Sequence, residues 1–256
     1  MILPYLLTPA HRLRLARAFR TVPRVDLSIE CVIEGQMGSA FVDDVDSPRV
    51  YKISTGPFAY FAGDPHAAAA PELLGSLAPG TLLMPSATGW AEAGQALLGE
   101  RLVEAERYQF SPDGLAQEAL AGLLASSRHA AQVRRMDMAF VEAVWGQDSF
   151  VDVALFDSPA DFVERGIGYY LERGGRTVGA AFSSLVCSRG IEISIYVVER
   201  YRGAGMATAL AAQLLLWCLD NGAEPHWDAA NPASCRLAAR LGYLPLGPYR
   251  AYYVAA

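Results

Sequence analysis

The segment Ile191–Ser234 constrains the fold of this chain more than any other. It reads IEISIYVV, then ERYRGAGMA, then TALAAQLLLWCLDNGAEPHWDAANPAS. The apolar, β-branched run predicts a strand, and a charged turn with two glycines leads from it into a long helical run. Free N–H groups at a helix start point outward, and the helix dipole favours an anion there. A strand, a glycine turn and a helix N-terminus in this order therefore predict a site for a phosphate group.

Two familiar phosphate-binding turns do not fit the spacing. A P-loop requires GxxxxGK[ST], and neither that lysine nor that spacing is present here. A Rossmann turn requires GxGxxG/A directly after its strand, but Thr208 stands in the third place. Residues 199–202 also separate the strand from the first glycine, which disfavours the Rossmann alternative.

The spacing fits a third turn, the pyrophosphate loop for coenzyme A. Arg202–Ala207 matches the pattern [Q/R]xxGx[G/A], and an overlapping match begins at Arg200. Small residues let the backbone approach a diphosphate, and an arginine adds charge-assisted hydrogen bonds. The position of this loose motif directly after IEISIYVV makes it more specific.

Composition limits the class of protein. The chain has 256 residues, 52% of them hydrophobic, which is enough for one large domain or two small ones. Its net charge is −6 without a basic run, so nucleic-acid binding is disfavoured. The longest apolar helical run, Ala209–Leu219, is too short to span a bilayer, and we predict no membrane segment.

The four cysteines show no zinc-type spacing. We therefore predict no metal site, and reduced thiols in a cytoplasmic protein.

Periodicity predicts two regions. In the first hundred residues it indicates a helix, a β-rich meander, a helix, a strand and a helix, at residues 12–20, 30–61, 66–77, 81–86 and 91–100. The pattern then restarts with a strand over 101–110 and helical periodicity to about 144. A short helix at 158–166 precedes three strands joined by glycine turns and ending in IEISIYVV, and the helix 203–220, strand 224–228, helix 232–241 and a β segment at 243–254 follow.

This order predicts an α/β (α+β) fold with a mixed, mostly antiparallel sheet. It contains one parallel strand–helix–strand crossover. We place an N-terminal α/β lobe at residues 1–100 and a second domain at 101–256.

Residues 101–256 resemble the GNAT superfamily of N-acyltransferases. Residues 192–243 are similar, more narrowly, to the GNAT family that includes zwittermicin A resistance acetyltransferases. The most diagnostic stretch is WDAANPAS at Trp227–Ser234, and SPADFVERGIGYY at 158–170 and the tyrosine-rich C-terminus fit as well. The resemblance is strong over about the last hundred residues and weaker over the first hundred.

The resemblance implies a GNAT fold that uses acetyl-CoA as donor. In such proteins one strand lies open because the next one splays away, and the pantetheine arm adds to the open strand. Here these strands are 191–198 and 224–228. The implied cofactor-binding residues are Ile195, Tyr196 and Val197 for pantetheine and the thioester carbonyl, Arg202, Gly203, Ala204, Gly205, Met206 and Ala207 for the pyrophosphate, and Asn231 and Ser234 for the CoA arm.

Four residues are candidates for acid–base chemistry. Glu192 lies on the open strand, where related enzymes often carry a carboxylate, although it could equally be a solvated strand residue. His226 and Asp228 alternate along the next strand and share a face, and a histidine has the pKa range of a base. Asp228 is also suited to anchor the following turn. Many GNAT enzymes place an acid tyrosine where this chain has Ala238, so Tyr243, or Tyr249 beyond it, could replace that tyrosine, or the thiolate leaves unaided.

We therefore expect an acetyl-CoA-dependent N-acetyltransferase that transfers directly to a small-molecule amine acceptor. The N-terminal lobe would shape the acceptor side or be a degenerate partner lobe. The alternative is a non-catalytic acyl-CoA-binding sensor or interaction module, which Ala238 suggests. A homodimer is compatible with the sequence.

Overall fold

The chain forms two compact units in a computed structural model that describes residues 1–147 and 149–256. The first unit comprises Met1–Arg107 and Pro248–Ala256, and the second comprises Tyr108–Gly247. The two regions predicted from the sequence met at residue 100. In the structure the division falls inside two long strands, so that residues 101–107 and 248–256 lie in the first unit.

Short elements build the first unit. They are β1 (Leu3–Pro4), α1 (Pro9–Ala18), α2 (Ser28–Glu34), β2 (Ser39–Val42), β3 (Val50–Thr55), β4 (Phe58–Gly63), α3 (Ala70–Gly75), β5 (Leu82–Leu83), α4 (Trp90–Leu98), the 3₁₀ turn Gly99–Arg101 and the beginning of β6 (Leu102–Ser111).

Longer elements build the second unit. They are the 3₁₀ turn Pro112–Gly114, α5 (Gln117–Ala125), the 3₁₀ turn Ala130–Gln132, β7 (Arg134–Arg135), α6 (Met138–Val144), α7 (Pro159–Arg165), β8 (Gly168–Arg173), β9 (Arg176–Val186), β10 (Gly190–Val197), the 3₁₀ turn Glu199–Tyr201, α8 (Met206–Asn221), β11 (Glu224–Ala229), α9 (Pro232–Leu241) and the beginning of β12 (Leu244–Val254).

One predicted strand is wrong. The run CVIEG at residues 31–35 was assigned to the meander, but it forms most of α2, which ends at Gly35 with φ 67°. Ile29 and Val32 are both buried and lie three residues apart, which is helical spacing. Burial of this face outweighs the β propensity of the valine and the isoleucine.

The sheet of the first unit has the order β1-β2-β3-β4-β5-β12. Strands β2, β3 and β4 form the predicted antiparallel meander. After α3 the chain returns as β5, which pairs parallel to β4, and β12 then pairs antiparallel to β5. The sequence predicts one parallel step but not this one, because a strand of two residues carries no periodic signal.

The sheet of the second unit has the order β6-β11-β10-β9-β8-β7. The meander β8–β9–β10 is antiparallel, and β11 pairs parallel to β10 after the long helix α8, as predicted. Leu210 and Leu214 of α8 pack with Ile191 and Val197 of β10. This packing fixes the helix that follows the glycine turn against the strand that precedes it.

Strands β10 and β11 separate part-way along their length. Their pairing begins at Gly190 opposite Glu224 and ends at Glu192 opposite His226. Beyond that point β11 continues beside β6, while β10 shows a bulge after Glu192 and continues beside β9. We call this separation point the fork, and it places one edge of β10 outside the ladder with β11.

No helix within residues 1–147 and 149–256 is both long and apolar enough to cross a membrane.

Candidate functional site

The glycine turn before α8 is open to solvent. Gly203 (φ 75°) and Gly205 (φ 83°) both have left-handed backbone conformations, and both are exposed. A Cβ atom built on either one would meet no atom within 4 Å, so the space in front of the turn is free. Gly205 is also the N-cap of α8. No side chain caps the first N–H groups of this helix, so they are available to a ligand at the turn. The turn thus fits an anionic group such as a diphosphate.

Arg202 connects the turn to the open strand. Its Nε atom donates to the carbonyl oxygen of Val197 at 3.0 Å, and its guanidinium lies 5.6 Å from the centre of the Tyr196 ring. A guanidinium group has further donors beyond Nε. Arg202 can therefore hold the end of β10 and still offer hydrogen bonds to an anion at the turn.

The open edge of β10 offers main-chain groups beyond the fork. Val198 N–H donates to Val178 O on β9, and successive residues of an antiparallel strand direct these groups to opposite sides. Ile195 and Val197 therefore direct their N–H and carbonyl groups away from β9, towards the edge that β11 has left. Tyr196 directs its main-chain groups towards Ala180 instead.

Of the three residues predicted to contact pantetheine, Ile195 and Val197 direct their main-chain groups to the open edge and Tyr196 does not. Tyr196 is placed to contribute its side chain, which is 38% exposed and stacks on Phe150 with ring centres 4.5 Å apart.

Glu192 and His226 form a buried pair at the fork. The Oε2 atom of Glu192 lies 2.9 Å from Nδ1 of His226, and the side chains are only 7% and 4% exposed. The parallel register brings them together, because they are Cα partners and their side chains share one face. A carboxylate at this distance can stabilise a positive charge on the ring. The two residues predicted as bases therefore lie side by side as one buried carboxylate–histidine pair.

The other two candidates for acid–base chemistry, Asp228 and Tyr243, are not part of this pair. Asp228 is half-buried on β11, opposite Gln109 of β6. Tyr243 is 2% exposed, and its hydroxyl donates to the carbonyl oxygen of Pro225 at 2.8 Å. Burial raises the pKa of Tyr243 well above its usual value, and the charge of Glu192 adds to this rise. A hydroxyl in this setting is a structural donor.

Asn231 and Ser234 organise the start of α9. The side chain of Asn231 caps the helix by accepting from Ser234 N–H at 3.0 Å. The hydroxyl of Ser234 in turn accepts from Trp227 Nε1 at 3.1 Å. Ala238 is fully buried in the core that α8 and α9 share. The diagnostic stretch WDAANPAS thus forms a connected strand-to-helix turn.

Comparison with known proteins places the chain in a family. A family model described as GNAT acetyltransferase matches residues 21–252. The chain belongs to the GNAT acetyltransferase family. The match spans both units, so this GNAT protein carries its family signature in the first hundred residues as well as in the last.

Individual relatives agree with the family. A GCN5-related N-acetyltransferase-like protein from Streptococcus suis 89/1591 is 30% identical, with a TM-score of 0.82 over 94% of this chain and 97% of its own. The uncharacterized N-acetyltransferase YdfB of Bacillus subtilis (strain 168) is 33% identical over 100 residues, which are 38% of each chain. A tandem GNAT protein from the clavulanic acid biosynthesis pathway shares the fold, with 13% identity and a TM-score of 0.55.

Membership confirms the GNAT resemblance and the predicted fold class, and it supports acyl transfer as the general chemistry. The family generally uses acetyl-CoA. Two residues at the site were not predicted: Phe150, which stacks on Tyr196, and the buried His129, which contacts the glycine turn. Neither residue lies in a recognisable motif, so no signal in the sequence identifies them.

Proposed function

We propose that this protein is an acetyl-CoA-dependent N-acetyltransferase that transfers an acetyl group directly to a small-molecule amine. One observation carries the proposal: an open strand edge, an open glycine turn and a buried Glu–His pair lie along a single strand–turn–helix–strand segment, β10 to β11. Direct transfer needs all three, because the donor must be held, the amine must lose a proton and the developing oxyanion must be stabilised.

The donor would be held along β10. Residues Arg202–Ala207 would bind the pyrophosphate through the N–H groups at the start of α8, and Ile195 and Val197 would pair with the pantetheine arm. The Asn231 amide nitrogen, which the helix cap leaves available, and the Ser234 hydroxyl would contact the arm at the start of α9. When bound, acetyl-CoA supplies an activated acetyl thioester.

His226 would take the proton from the amine. Glu192, whose carboxylate lies 2.9 Å from Nδ1, would stabilise the positive charge that develops when the ring accepts a proton, so its role is to support the base. An N–H group of Ile195 or Val197 at the open edge would stabilise the oxyanion. Asp228, on the same face as His226, would line the acceptor side.

The proposed reaction uses no side chain as general acid. The hydroxyl of Tyr243 is committed to the Pro225 carbonyl, and the position where many family members carry a tyrosine holds the buried Ala238. A thiol has a pKa of about 8.5, so a thiolate leaves with little assistance near neutral pH. Ala238 also favours the second candidate function, an acyl-CoA-binding sensor without turnover.

The setting and the partners are also part of the proposal. Among the described residues, which include all four cysteines, no disulfide is formed, and three of these cysteines are buried, which suits a reducing cytoplasm. We propose a small amine as acceptor because family members act on amines.

The experiment begins with calorimetric titration of acetyl-CoA. It continues with amine-dependent thiol release, followed with a thiol-reactive dye, for the wild type, Glu192→Gln, His226→Gln and the double variant. Loss of a general base lowers kcat by about 10²- to 10⁴-fold. If the pair acts as one unit, the double variant should be no slower than the slower single variant. Glu224→Gln is the control. Glu224 lies on β11, as His226 does, but its carboxylate accepts hydrogen bonds from Arg189 at the surface.

Three results would contradict parts of the proposal. Absence of acetyl-CoA binding would show that the glycine turn is not a site for the pyrophosphate of CoA. Binding without thiol release against a broad amine panel would favour the sensor. Losses that multiply in the double variant would show that Glu192 and His226 act independently.

A further inference from the structure

His129 is a buried histidine that lies outside the segment discussed so far and contacts it. It follows α5 and is 3% exposed. Its Nε2 atom lies 3.0 Å from the carbonyl oxygen of Ala204, the residue between the two glycines of the turn. Its Nδ1 atom lies 3.4 Å from Nη2 of Arg173. A buried imidazole with both nitrogens at polar partners is held in one orientation.

Two of the ring's partners favour a hydrogen on Nε2. A guanidinium group can only donate, so Nδ1 accepts from Arg173, and the Ala204 carbonyl can only accept, so its 3.0 Å contact requires a donor at Nε2. Arg173 is held in its own position by Gln132, whose Oε1 accepts from Nη2 at 2.6 Å. A third partner competes with this arrangement, because Arg128 Nε donates to the same Nε2 at 3.3 Å.

This bond sets the direction of one peptide group in the turn. The carbonyl of Ala204 points towards a buried ring, so it points away from the open space in front of Gly203 and Gly205. The two glycines permit rotation of the peptide groups on either side of Ala204. A carbonyl oxygen turned outward would place negative charge against an anion, whereas the present direction leaves the outer side to N–H groups.

We propose that His129 is a positioning residue for the phosphate-binding turn. It holds the Ala204 carbonyl inward so that the turn presents only donors to the pyrophosphate of CoA, and Arg173 favours the tautomer that this requires. The inference rests on the proposed function, because it takes the ligand of the turn to be CoA. His129 would act on donor binding and not on the chemical step.

The test compares His129→Gln with His129→Asn and His129→Ala. The amide nitrogen of glutamine reaches about as far as Nε2 and can replace its hydrogen bond, whereas asparagine is one carbon shorter. We expect the asparagine and alanine variants to raise Kd and KM for acetyl-CoA about tenfold, the effect of a buried carbonyl left without its donor. We expect kcat at saturating donor to stay within about twofold of the wild type, and glutamine to restore binding. His66→Gln, an exposed histidine of the first unit, is the control.

Arg173→Gln keeps the ring and removes the charged donor to Nδ1, so it tests the proposal should the His129 variants fail to fold. We expect its Kd for acetyl-CoA to rise several-fold. Equal binding by the asparagine and glutamine variants, an unchanged Kd in Arg173→Gln, or a fall in kcat at constant KM would each overturn the inference. If the wild type itself does not bind acetyl-CoA, the proposed function fails. If the wild type binds acetyl-CoA and one of the three results above is obtained, only the role of His129 fails.

Discussion

The two ends of α8 provide a matched test of the phosphate-binding turn. Gly205 is the N-cap of the helix with φ 83°, and Gly222 is its C-cap with φ 65°. Both residues are exposed, and a Cβ atom on either would meet nothing within 4 Å. Gly205→Ala and Gly222→Ala therefore impose the same local change on the same helix, and only the first lies at the proposed site.

The effect on stability should be small and similar in both variants. An alanine in the left-handed region costs about 1–2 kcal/mol, and the stiffer unfolded chain offsets about 0.4–1 kcal/mol of this. A net loss of about 1 kcal/mol lowers Tm by roughly 2–4 °C for a protein of this size. Since no neighbouring atom is displaced, we expect both variants to fold.

The effect on donor binding should differ sharply. The new methyl group of Gly205→Ala would stand in the space through which the diphosphate approaches the N–H groups of the turn. Loss of two hydrogen bonds to a charged group, at about 1.5–3 kcal/mol each, weakens binding by 100-fold or more. Gly222→Ala should bind acetyl-CoA as the wild type does, because the C-terminal end of the helix takes no part in the site.

Calorimetric titration with acetyl-CoA and thermal unfolding of the three proteins measure both quantities. The reasoning is refuted if Gly205→Ala binds acetyl-CoA within about threefold of the wild type. It is also refuted if Gly222→Ala loses binding to the same degree, since the cause would then be a disturbed helix and not an obstructed turn.

Two further predictions concern single side chains. Tyr243→Phe should lower the free energy of unfolding in urea by about 1–3 kcal/mol, because the buried Pro225 carbonyl loses its donor, while kcat is retained; a large loss of kcat at unchanged stability would restore Tyr243 as a catalytic residue. The hydrogen bond from Arg165 lowers the pKa of Asp161 below its ordinary value of 3.8, although desolvation opposes this. The folded state therefore gains stability from Asp161 above pH 3.8 and loses it as the pH falls through the lower, folded pKa. Urea midpoints measured across this acid range should fall less steeply for Asp161→Asn, and equal slopes would contradict the assignment.

The sequence was sufficient for the central segment of the second unit. The β-branched run before Val198 and the glycines before Met206 determine a strand, a turn and a helix start by local rules alone. The same local rules failed at residues 31–35, where valine and isoleucine favour a strand but their burial in the tertiary structure favours a helix. Non-local packing decides such cases.

The pairing of Glu192 with His226 could be predicted only in part. Alternation along each strand identifies the face of each side chain, but the contact depends on the register, which sets Glu192 opposite His226 and not opposite a residue one place away. The contact between His129 and Ala204 could not be predicted from the sequence, because the two residues are far apart in the chain and share no motif.

Segments on both sides of the second unit meet in one sheet, and this has a consequence for biosynthesis. Residues 1–107 are translated before the second unit, yet Tyr252 and Tyr253, which pair with Leu83 and Leu82, are translated after it. Domains usually fold in the order of their synthesis. Here the second unit, which is continuous from Tyr108 to Gly247, becomes complete while the first still lacks its final strand. A stop codon introduced just after Gly247 would therefore leave unfinished the unit whose translation began first.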